Sequence, residues 1–465
     1  MTAKGKVLSN QEKINVDELN KMALDHHIPA VTPRAEREQN GAWIVDRGQG
    51  ATIFGVDGRE YLDAIGGGTL AQGVGYGNEE IAKAIYEQAR QLHYTAPYLG
   101  VTPVTIRLAD KLAEITPGNL SATWFSSGGS EAVESAIKLA KQYHFHNKER
   151  ERTRFISRKY AYHGTTMGAI SLTGPCTGFD FLRFVNEPNM MQGVSHICAP
   201  YCYRCELGLE YPSCDIACAR QLEKEIENQG PETVAAFIGE PVMGAGGCIP
   251  PVPEYWPMIR SICDKYGVLL IADEVINGFG RTGKWFACEH WDLEPDIMTM
   301  AKNISGCYVP LGATIVKGEL AEKLPLFMHV FTFSGHAVAC AASLAAIGVM
   351  EKENMVEHAA EVGQYMLEGL KTLDKHPIVG EVRGLGMIMA VELVKDKKTK
   401  EVFTAREAIP DMVAKRMLDY GVFVRSGGGN GSVVEIAPVY TFTKKDADTV
   451  VEALDKSLTD AEKTM

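Results

Sequence analysis

The 465-residue sequence is long enough to form one large domain and a smaller one, each with a substantial core. Its formal net charge of −12 predicts no basic surface, which argues against nucleic acid as a partner. No apolar run reaches roughly 18 residues, and the first 20 residues lack an apolar signal core, so we predict a cytoplasmic protein that does not contact membranes.

The N-terminal part of the chain predicts an arm followed by a β-hairpin. Residues 1 to about 40 are polar and mixed in charge. The stretches 42–45 and 51–54 have the composition of strands, and residues 56–59 have that of a turn. From about 72 to 335, strand and helix patterns alternate, which is typical of an α/β domain with a mostly parallel sheet.

Beyond about residue 336 the pattern changes to that of a smaller α+β domain. We predict helices and strands in this part at 338–350, 355–373, 380–394, 422–425, 433–437 and 444–458. The predicted domains are therefore residues 72–335 as the large domain and residues 336–465 as the small one. Residues 1–71, the arm and hairpin, are expected to pack with the small domain.

Three short apolar runs in the large domain each end on an ionisable side chain, namely Glu240, Asp273 and Lys302. Such runs, about 30 residues apart, predict buried parallel strands whose carboxyl ends line one crevice. A lysine facing a carboxylate is what a pyridoxal 5'-phosphate enzyme needs: an amine to bind the cofactor covalently and an acid to keep its ring nitrogen protonated. An ordinary ion pair between Asp273 and Lys302 is the alternative interpretation.

A turn rich in serine and glycine, Ser126 to Glu131, precedes a helical pattern that begins near Ala132. The free N–H groups and positive dipole of a helix N-terminus suit a phosphate, and Ser130 adds a hydroxyl donor. Taken alone, the turn favours Ser130 as a helix N-cap without a ligand. Together with Lys302 it favours a phosphate site.

In these features the chain resembles the class III aminotransferases, the ω-aminotransferase group of fold type I pyridoxal-phosphate enzymes. The resemblance extends from about Gly50 to the C-terminus. Its motifs, in chain order, are Ser127-Gly-Gly-Ser-Glu-Ala132, Tyr162-His-Gly164, Gly239-Glu-Pro241, Ala272-Asp-Glu-Val-Ile-Asn-Gly-Phe-Gly-Arg-Thr-Gly283 and Pro295-Asp-Ile-Met-Thr-Met-Ala-Lys302.

The resemblance implies a role for each of these motifs. Lys302 would bind the cofactor and move the proton during transfer, and Asp273 would bind the ring nitrogen. Val275 and Tyr162 would contact the two faces of the ring. The other implied cofactor contacts are Gly129 and Ser130 at the phosphate, His163 beside Tyr162, Glu240 near the ring hydroxyl, and Thr332, which would reach the neighbouring subunit's phosphate in a homodimer or an assembly of dimers. Without the resemblance, Tyr162 and His163 would be interpreted as core residues.

The resemblance also implies how substrates bind. Arg425 is similar to the mobile arginine of ω-aminotransferases, since a guanidinium binds a carboxylate bidentately; a surface arginine in a strand-end loop is the alternative. Leu70 and Tyr98 lie where relatives place bulky pocket residues, and the smaller Leu70 would leave room beside the reacting carbon. We therefore expect an ω-amino acid or amine donor (β-alanine, 4-aminobutyrate, taurine or a diamine), with pyruvate as the favoured acceptor and 2-oxoglutarate left open.

Three positions depart from the family pattern. Asn303 follows Lys302 where glycine is usual, Cys307 occupies a position where glycine is expected, and Gly128 replaces a serine of the phosphate turn. We expect these changes to alter loop geometry and phosphate affinity, and not the chemistry, because Lys302 is present.

Two further motifs have competing interpretations. Spacings close to those of a structural zinc or iron–sulfur site are found among Cys202, Cys205, Cys214 and Cys218. Because a second tight Cys-x-x-Cys pair is missing, we favour reduced, packed thiols and predict no metal, with a structural metal site as the alternative. Gly278 to Gly283 matches the dinucleotide fingerprint, but the residues after it predict no long helix, so we do not predict NAD binding.

Two rival functions remain open. Some relatives in the family are amino-acid racemases, mutases or decarboxylases, which use the same lysine without exchanging amino groups. A non-catalytic binding protein organised by a metal at residues 198–218 would be a different class altogether.

Overall fold

The computed structural model describes residues 15–176, 178 and 190–465, so residues 1–14 of the predicted arm lie outside the described part. The α-helices are α1 (Val16–His26), α2 (Arg34–Asn40), α3 (Glu79–Gln91), α4 (Pro103–Ile115), α5 (Gly129–His146), α6 (Met167–Leu172), α7 (Ala217–Gln229), α8 (Tyr255–Tyr266), α9 (Gly318–Glu322), α10 (Ala337–Lys352), α11 (Met355–Lys371), α12 (Ile409–Asp419) and α13 (Lys444–Glu462). The strands are β1 (Val45–Gln49), β2 (Thr52–Gly55), β3 (Glu60–Asp63), β4 (Leu120–Ser126), β5 (Arg154–Arg158), β6 (Val194–Ile197), β7 (Val234–Gly239), β8 (Leu269–Asp273), β9 (Ile297–Met300), β10 (Gly312–Lys317), β11 (Val379–Leu385), β12 (Ile388–Leu393), β13 (Val422–Phe423), β14 (Arg425–Gly427) and β15 (Val433–Ile436).

A seven-stranded sheet in the order β4-β10-β9-β8-β7-β5-β6 forms the centre of the protein. Strands β9, β8, β7, β5 and β6 pair in parallel, whereas β10 runs antiparallel to both β4 and β9. Every residue of β7, β8 and β9 is buried, as expected for strands covered on both faces. The α/β fold class is thus confirmed, and β10 makes the sheet mixed.

Helix α5 follows β4 and packs on this sheet through apolar residues at helical spacing. Val133, Ala136 and Leu139 form one cluster with Ile238 of β7 and Ile271 of β8. This packing brings the N-terminus of α5 to the edge where β8 and β9 end, because α5 contacts β8, β9 and β10.

The predicted N-terminal hairpin exists, but its first strand was placed wrongly. Strand β1 runs over Val45–Gln49, not 42–45, and pairs antiparallel with β2. The reason is Gly50, whose left-handed backbone (φ 57) closes a tight turn directly before β2. Residues 56–59 instead form the turn between β2 and β3, where Gly58 N donates to Gly55 O at 2.9 Å.

Two smaller sheets, β1-β2-β3-β13 and β11-β12-β15-β14, lie outside the central one. The predicted strand 422–425 is two strands, β13 and β14, which pair with different sheets, and the stretch 380–394 is the hairpin β11–β12. Strand β13 pairs in parallel with β3, so the C-terminal part joins the N-terminal hairpin. The domain limits at residues 71 and 335 remain predictions.

Within the ranges described, no helix combines the length and the apolar character that crossing a membrane would require.

Arg281 ties three segments of the chain together in the interior. Its guanidinium donates to the carbonyl oxygens of Gln72 (2.7 Å), Met387 (3.2 Å) and Pro438 (2.6 Å), and its side chain is fully buried. The Gly278–Gly283 motif therefore contributes a structural residue, Arg281. Among the residues described here, the next element after the motif is a short 3₁₀ turn, Ala287–Trp291, and not a long helix.

We expect Arg281→Lys to lower the free energy of unfolding by about 3 kcal/mol, because an ammonium cannot reach three carbonyl groups in different directions. Urea unfolding followed by circular dichroism measures the change. Arg416→Lys, at a side chain that is 50% exposed, is the matched control and should change stability little. Equal effects of the two substitutions would contradict this role of Arg281.

Candidate active site

The carboxyl ends of β7, β8 and β9 open into a cavity of about 1290 Å³. Gly239 pairs with Ala272, and Asp273 pairs with Thr299, so the three strands end side by side. Of the predicted site residues, those that line the cavity are Leu70, Gly129, Ser130, Tyr162, His163, Glu240, Asp273, Val275, Lys302 and Arg425.

Asp273 is held by three donors at the floor of the cavity. Nδ1 of His163 lies 2.7 Å from its Oδ2 and donates to it, while the Thr299 hydroxyl (3.0 Å) and the Val275 N–H (3.1 Å) donate to Oδ1. Nε2 of His163 is buried and has no partner among the described residues. This carboxylate is therefore fixed in orientation, with a histidine behind it.

Lys302 follows β9 and begins a 3₁₀ turn, Lys302–Ser305. Its backbone is left-handed (φ 52), a conformation that costs energy in a residue with a long side chain and that clusters at functional sites. Burial lowers the pKa of its amine to about 8, against the opposing effect of the Asp273 charge. About a tenth of the amine is therefore neutral and nucleophilic at pH 7, far more than for an ordinary lysine.

Glu240 also lines the cavity and is almost fully buried. Burial raises the pKa of its carboxyl to about 7, while the charges of His163 and Arg158 oppose this. Its oxygens accept from the N–H groups of Tyr162 (3.4 Å) and Gly244 (3.3 Å). Glu240 thus holds the Tyr162 backbone in place.

The first turn of α5 faces the cavity without a side-chain cap. Gly129 is required there, because a Cβ on it would lie 2.8 Å from Cγ1 of Val275. By contrast, a Cβ on Gly128 would meet nothing within 4 Å. The glycine that stands here in place of the family's serine therefore leaves open space and causes no strain. The Ser130 hydroxyl accepts from Thr165 N at 3.1 Å, which orients it at the helix start.

The two departures after Lys302 have different structural consequences. Nδ2 of the buried Asn303 donates to Phe279 O (2.7 Å) and to the Tyr440 hydroxyl (3.1 Å), so the asparagine braces the loop. Cys307 adopts the left-handed backbone (φ 58) that glycine would favour.

Two predicted residues do not line this cavity. Tyr98 is 76% exposed, and Thr332 is also exposed. Neither residue reaches the cavity within one chain, so their predicted roles remain predictions.

Several cavity residues were not found from the sequence. They include the segment Pro29–Pro33, Thr69, Gly164, Ala245, Ile276 and Ser426 to Gly428. Thr299 and Glu435 were also missed, and both hold a predicted site residue in place. Glu435 could have been found from the sequence. It lies within the apolar run Val433-Val434-Glu435-Ile436, and a buried acid needs a partner of opposite charge.

The clustered cysteines are close enough for Cys202, Cys205 and Cys214 to act electrostatically on Cys218. Burial raises the pKa of the Cys218 thiol to about 12. Over the described ranges, no group of three or more histidine, cysteine or acidic side chains is arranged to hold a metal ion. The absence of a metal stays a prediction.

Comparison with protein families gives a match over residues 34–458 to the model described as aminotransferase class-III. Relatives include the putrescine–pyruvate aminotransferase of Pseudomonas aeruginosa, 38% identical over 82% of this chain and 84% of that protein. The taurine–pyruvate aminotransferase of Bilophila wadsworthia is 36% identical, covering 90% and 92%. The leucine/methionine racemase of Thermococcus litoralis is 35% identical, covering 93% and 94%.

Solved structures agree with this match. An (S)-enantioselective ω-transaminase from Thermomicrobium roseum superposes with a TM-score of 0.91 at 39% identity, covering 96% of this chain and 99% of that one. The ω-transaminase of Pseudomonas jessenii in complex with PMP superposes with a TM-score of 0.90 at 34% identity, covering 96% and 98%.

The lowered pKa of Lys302 predicts how the reactivity of its amine depends on pH. In cofactor-free protein, labelling of Lys302 by trinitrobenzenesulfonate should rise with a midpoint near pH 8, below the value of about 10.4 for free lysine side chains, because burial disfavours the ammonium. Peptide mass spectrometry at a series of pH values measures this, with the exposed Lys284 as reference. A midpoint for Lys302 at or above that of Lys284 would contradict the electrostatic description.

Proposed function

This chain belongs to the class III aminotransferase family and is an aminotransferase, and we propose that it moves an amino group from an ω-amino acid or amine to a keto acid, with pyruvate as the acceptor. Relatives named as putrescine–pyruvate and taurine–pyruvate aminotransferases support both parts of this proposal.

One observation carries the proposal: a lysine amine that burial keeps partly neutral lies within electrostatic reach of an oriented carboxylate in a large cavity. Amine exchange needs a nucleophilic amine that can also take up and return a proton. Lys302 has both properties near neutral pH.

The family implies dependence on pyridoxal 5'-phosphate, and the residues of the cavity fit this group. The N-terminus of α5 has no side-chain cap, and Gly129 lets its backbone pack closely against Val275 where a Cβ would clash, so free N–H groups face the cavity and suit the phosphate. Gly129 and Ser130 would hold the phosphate, Asp273 the ring nitrogen, Val275 and Tyr162 the ring faces, and Lys302 the aldehyde carbon. When bound, the group supplies a protonated ring that withdraws electrons from the carbon bearing the amine.

The side chains of the protein then have distinct tasks. With the group bound, the amine of Lys302 would take the proton from the amine-bearing carbon of the donor and would later give a proton to the corresponding carbon of the keto acid. Asp273, held by His163 and Thr299, would keep the ring nitrogen of the bound group protonated. Arg425 binds the carboxylate of the keto acid, and Leu70, which is buried at the cavity wall, leaves room for the donor.

We further propose that the active unit is a homodimer. Exposed apolar side chains are concentrated in two chain segments, residues 98–106 and 326–333, namely Tyr98, Leu99, Val101, Ile106, Leu326, Met328, Val330 and Phe333. The two segments are joined where Tyr94 and Phe333 stack edge-on at 6.1 Å and where the Thr105 hydroxyl donates to Gly335 O at 2.8 Å. Exposed apolar side chains grouped in this way are typical of an interface, and the exposed Thr332 lies in the second segment. Sedimentation of the purified protein should give the mass of two chains, and the mass of one chain would contradict the proposal.

Racemisation of an amino acid is the second candidate, supported by the relative named leucine/methionine racemase. It would use the same lysine and ring without consuming a keto acid.

The decisive experiment follows keto-acid consumption with a panel of donors. We expect pyruvate to be consumed in step with β-alanine, 4-aminobutyrate, taurine or butane-1,4-diamine, and Lys302→Ala to lower kcat by at least about a thousandfold, because nucleophile and base are lost together. Lys284→Ala, at an exposed lysine, is the control and should keep full activity. Turnover with α-amino acids alone would contradict the proposed donors, and racemisation without pyruvate consumption would establish the second candidate.

A further inference from the structure

Arg425 and Glu435 form a cross-strand ion pair at the wall of the cavity, directly opposite each other on β14 and β15. Nε of Arg425 donates to Oε2 of Glu435 at 2.8 Å, and Nη2 donates to the same oxygen. Nη1 donates to Gly68 O at 3.3 Å. The side chain of Arg425 is 34% exposed and lines the cavity, whereas that of Glu435 is fully buried behind it.

Glu435 depends on Arg425 for its charge. A buried carboxylate is unfavourable without a counterion, and burial raises the pKa of Glu435 while Arg425 is the strongest group opposing this. Arg383 also acts on Glu435, but its own guanidinium is bonded to Glu381 and Glu392. Arg425 and Glu435 are therefore best treated as one unit with no net charge.

Whether the charge of Arg425 is neutralised matters for the reaction, because Arg425 acts electrostatically on two other residues that line the cavity. Burial raises the pKa of Tyr162, and the positive charge of Arg425 opposes this rise; burial lowers the pKa of Lys302, and the same charge adds to this lowering. An unpaired arginine at this position would attract a substrate carboxylate and repel an ammonium group. Paired with Glu435 it repels a cationic substrate far less.

The arginine still has hydrogen-bond donors to offer. A guanidinium has five N–H groups, and three of them are used in the bonds to Glu435 and Gly68. One N–H on Nη1 and one on Nη2 take no part in these three bonds, which is the number that a bidentate carboxylate accepts.

We propose that Glu435 determines substrate specificity by neutralising Arg425, so that one site accepts donors with a cationic or uncharged far end and also binds the carboxylate of the keto acid. Glu435 does not touch the substrate; it acts through Arg425 as a positioning residue. The inference rests on the proposed function, since it concerns the substrates of the same cavity.

Matched substrates test the proposal on the complete enzyme with its cofactor. Butane-1,4-diamine and butylamine differ only in the far ammonium group, and β-alanine and propylamine differ in a carboxylate. In Glu435→Gln, which keeps the size and an acceptor oxygen, the diamine/butylamine ratio of kcat/KM should fall about tenfold. The β-alanine/propylamine ratio should rise by a similar factor, because the charge of Arg425 is no longer cancelled.

Two further variants complete the test. Arg425→Gln/Glu435→Gln removes both charges and should return the diamine/butylamine ratio to that of the wild type. Glu381→Gln, which removes an acid that pairs with Arg383 and not with Arg425, should leave both ratios unchanged. If Glu435→Gln does not fold, Glu435→Met, an uncharged side chain of similar volume that suits a buried position, replaces it, and the same changes in both ratios are expected.

Binding without turnover separates this inference from the proposed function. Calorimetry with propionate, a carboxylate that cannot react, should show binding to Glu435→Gln about tenfold tighter than to the wild type. Unchanged ratios and unchanged propionate binding, with only a lower melting temperature, would mean that Glu435 merely braces β14 and β15. Tighter propionate binding in a protein that transfers no amino group would overturn the proposed function and leave this inference standing.

Discussion

The register of three neighbouring parallel strands determines where the reactive groups of this aminotransferase meet. Gly239 of β7 pairs with Ala272 of β8, and Asp273 pairs with Thr299 of β9, so the chain leaves all three strands at the same edge. The apolar residues that bury these strands therefore also fix the positions of the ionisable residues that follow them. A slip of one residue would turn Asp273 to the opposite face of the sheet.

Burial at this edge gives the side chains their chemistry, and it requires each charge to have a partner. Asp273 is paired with His163 and Thr299 at this edge, and Glu435 is paired with Arg425 on the separate sheet β11-β12-β15-β14, which contributes Arg425 to the same cavity. Lys302 instead responds by a pKa lowered to about 8. The same exclusion of water thus produces a reactive amine and oriented acids, which explains how an apolar core and a polar site share one sheet edge.

The features that depend on neighbouring residues could be predicted from the sequence, whereas those that depend on distant segments could not. The apolar runs before Glu240, Asp273 and Lys302 predicted parallel strands correctly, since burial and β-branched composition are local properties. The bond between His163 and Asp273 joins residues 110 positions apart, and the pair Arg425–Glu435 depends on the register of β14 with β15. Tyr98 and Thr332 do not line the cavity of the single chain, so their predicted roles would depend on the homodimer that we propose.

The most direct test of this account is to locate the covalent attachment of the cofactor. The purified enzyme with pyridoxal 5'-phosphate bound is reduced with borohydride and digested, and the peptides are weighed by mass spectrometry. The account predicts that the peptide containing Lys302 gains the mass of one reduced pyridoxyl phosphate group. Attachment at another lysine, or a Lys302 peptide of unchanged mass from enzyme that is still active before reduction, would contradict it.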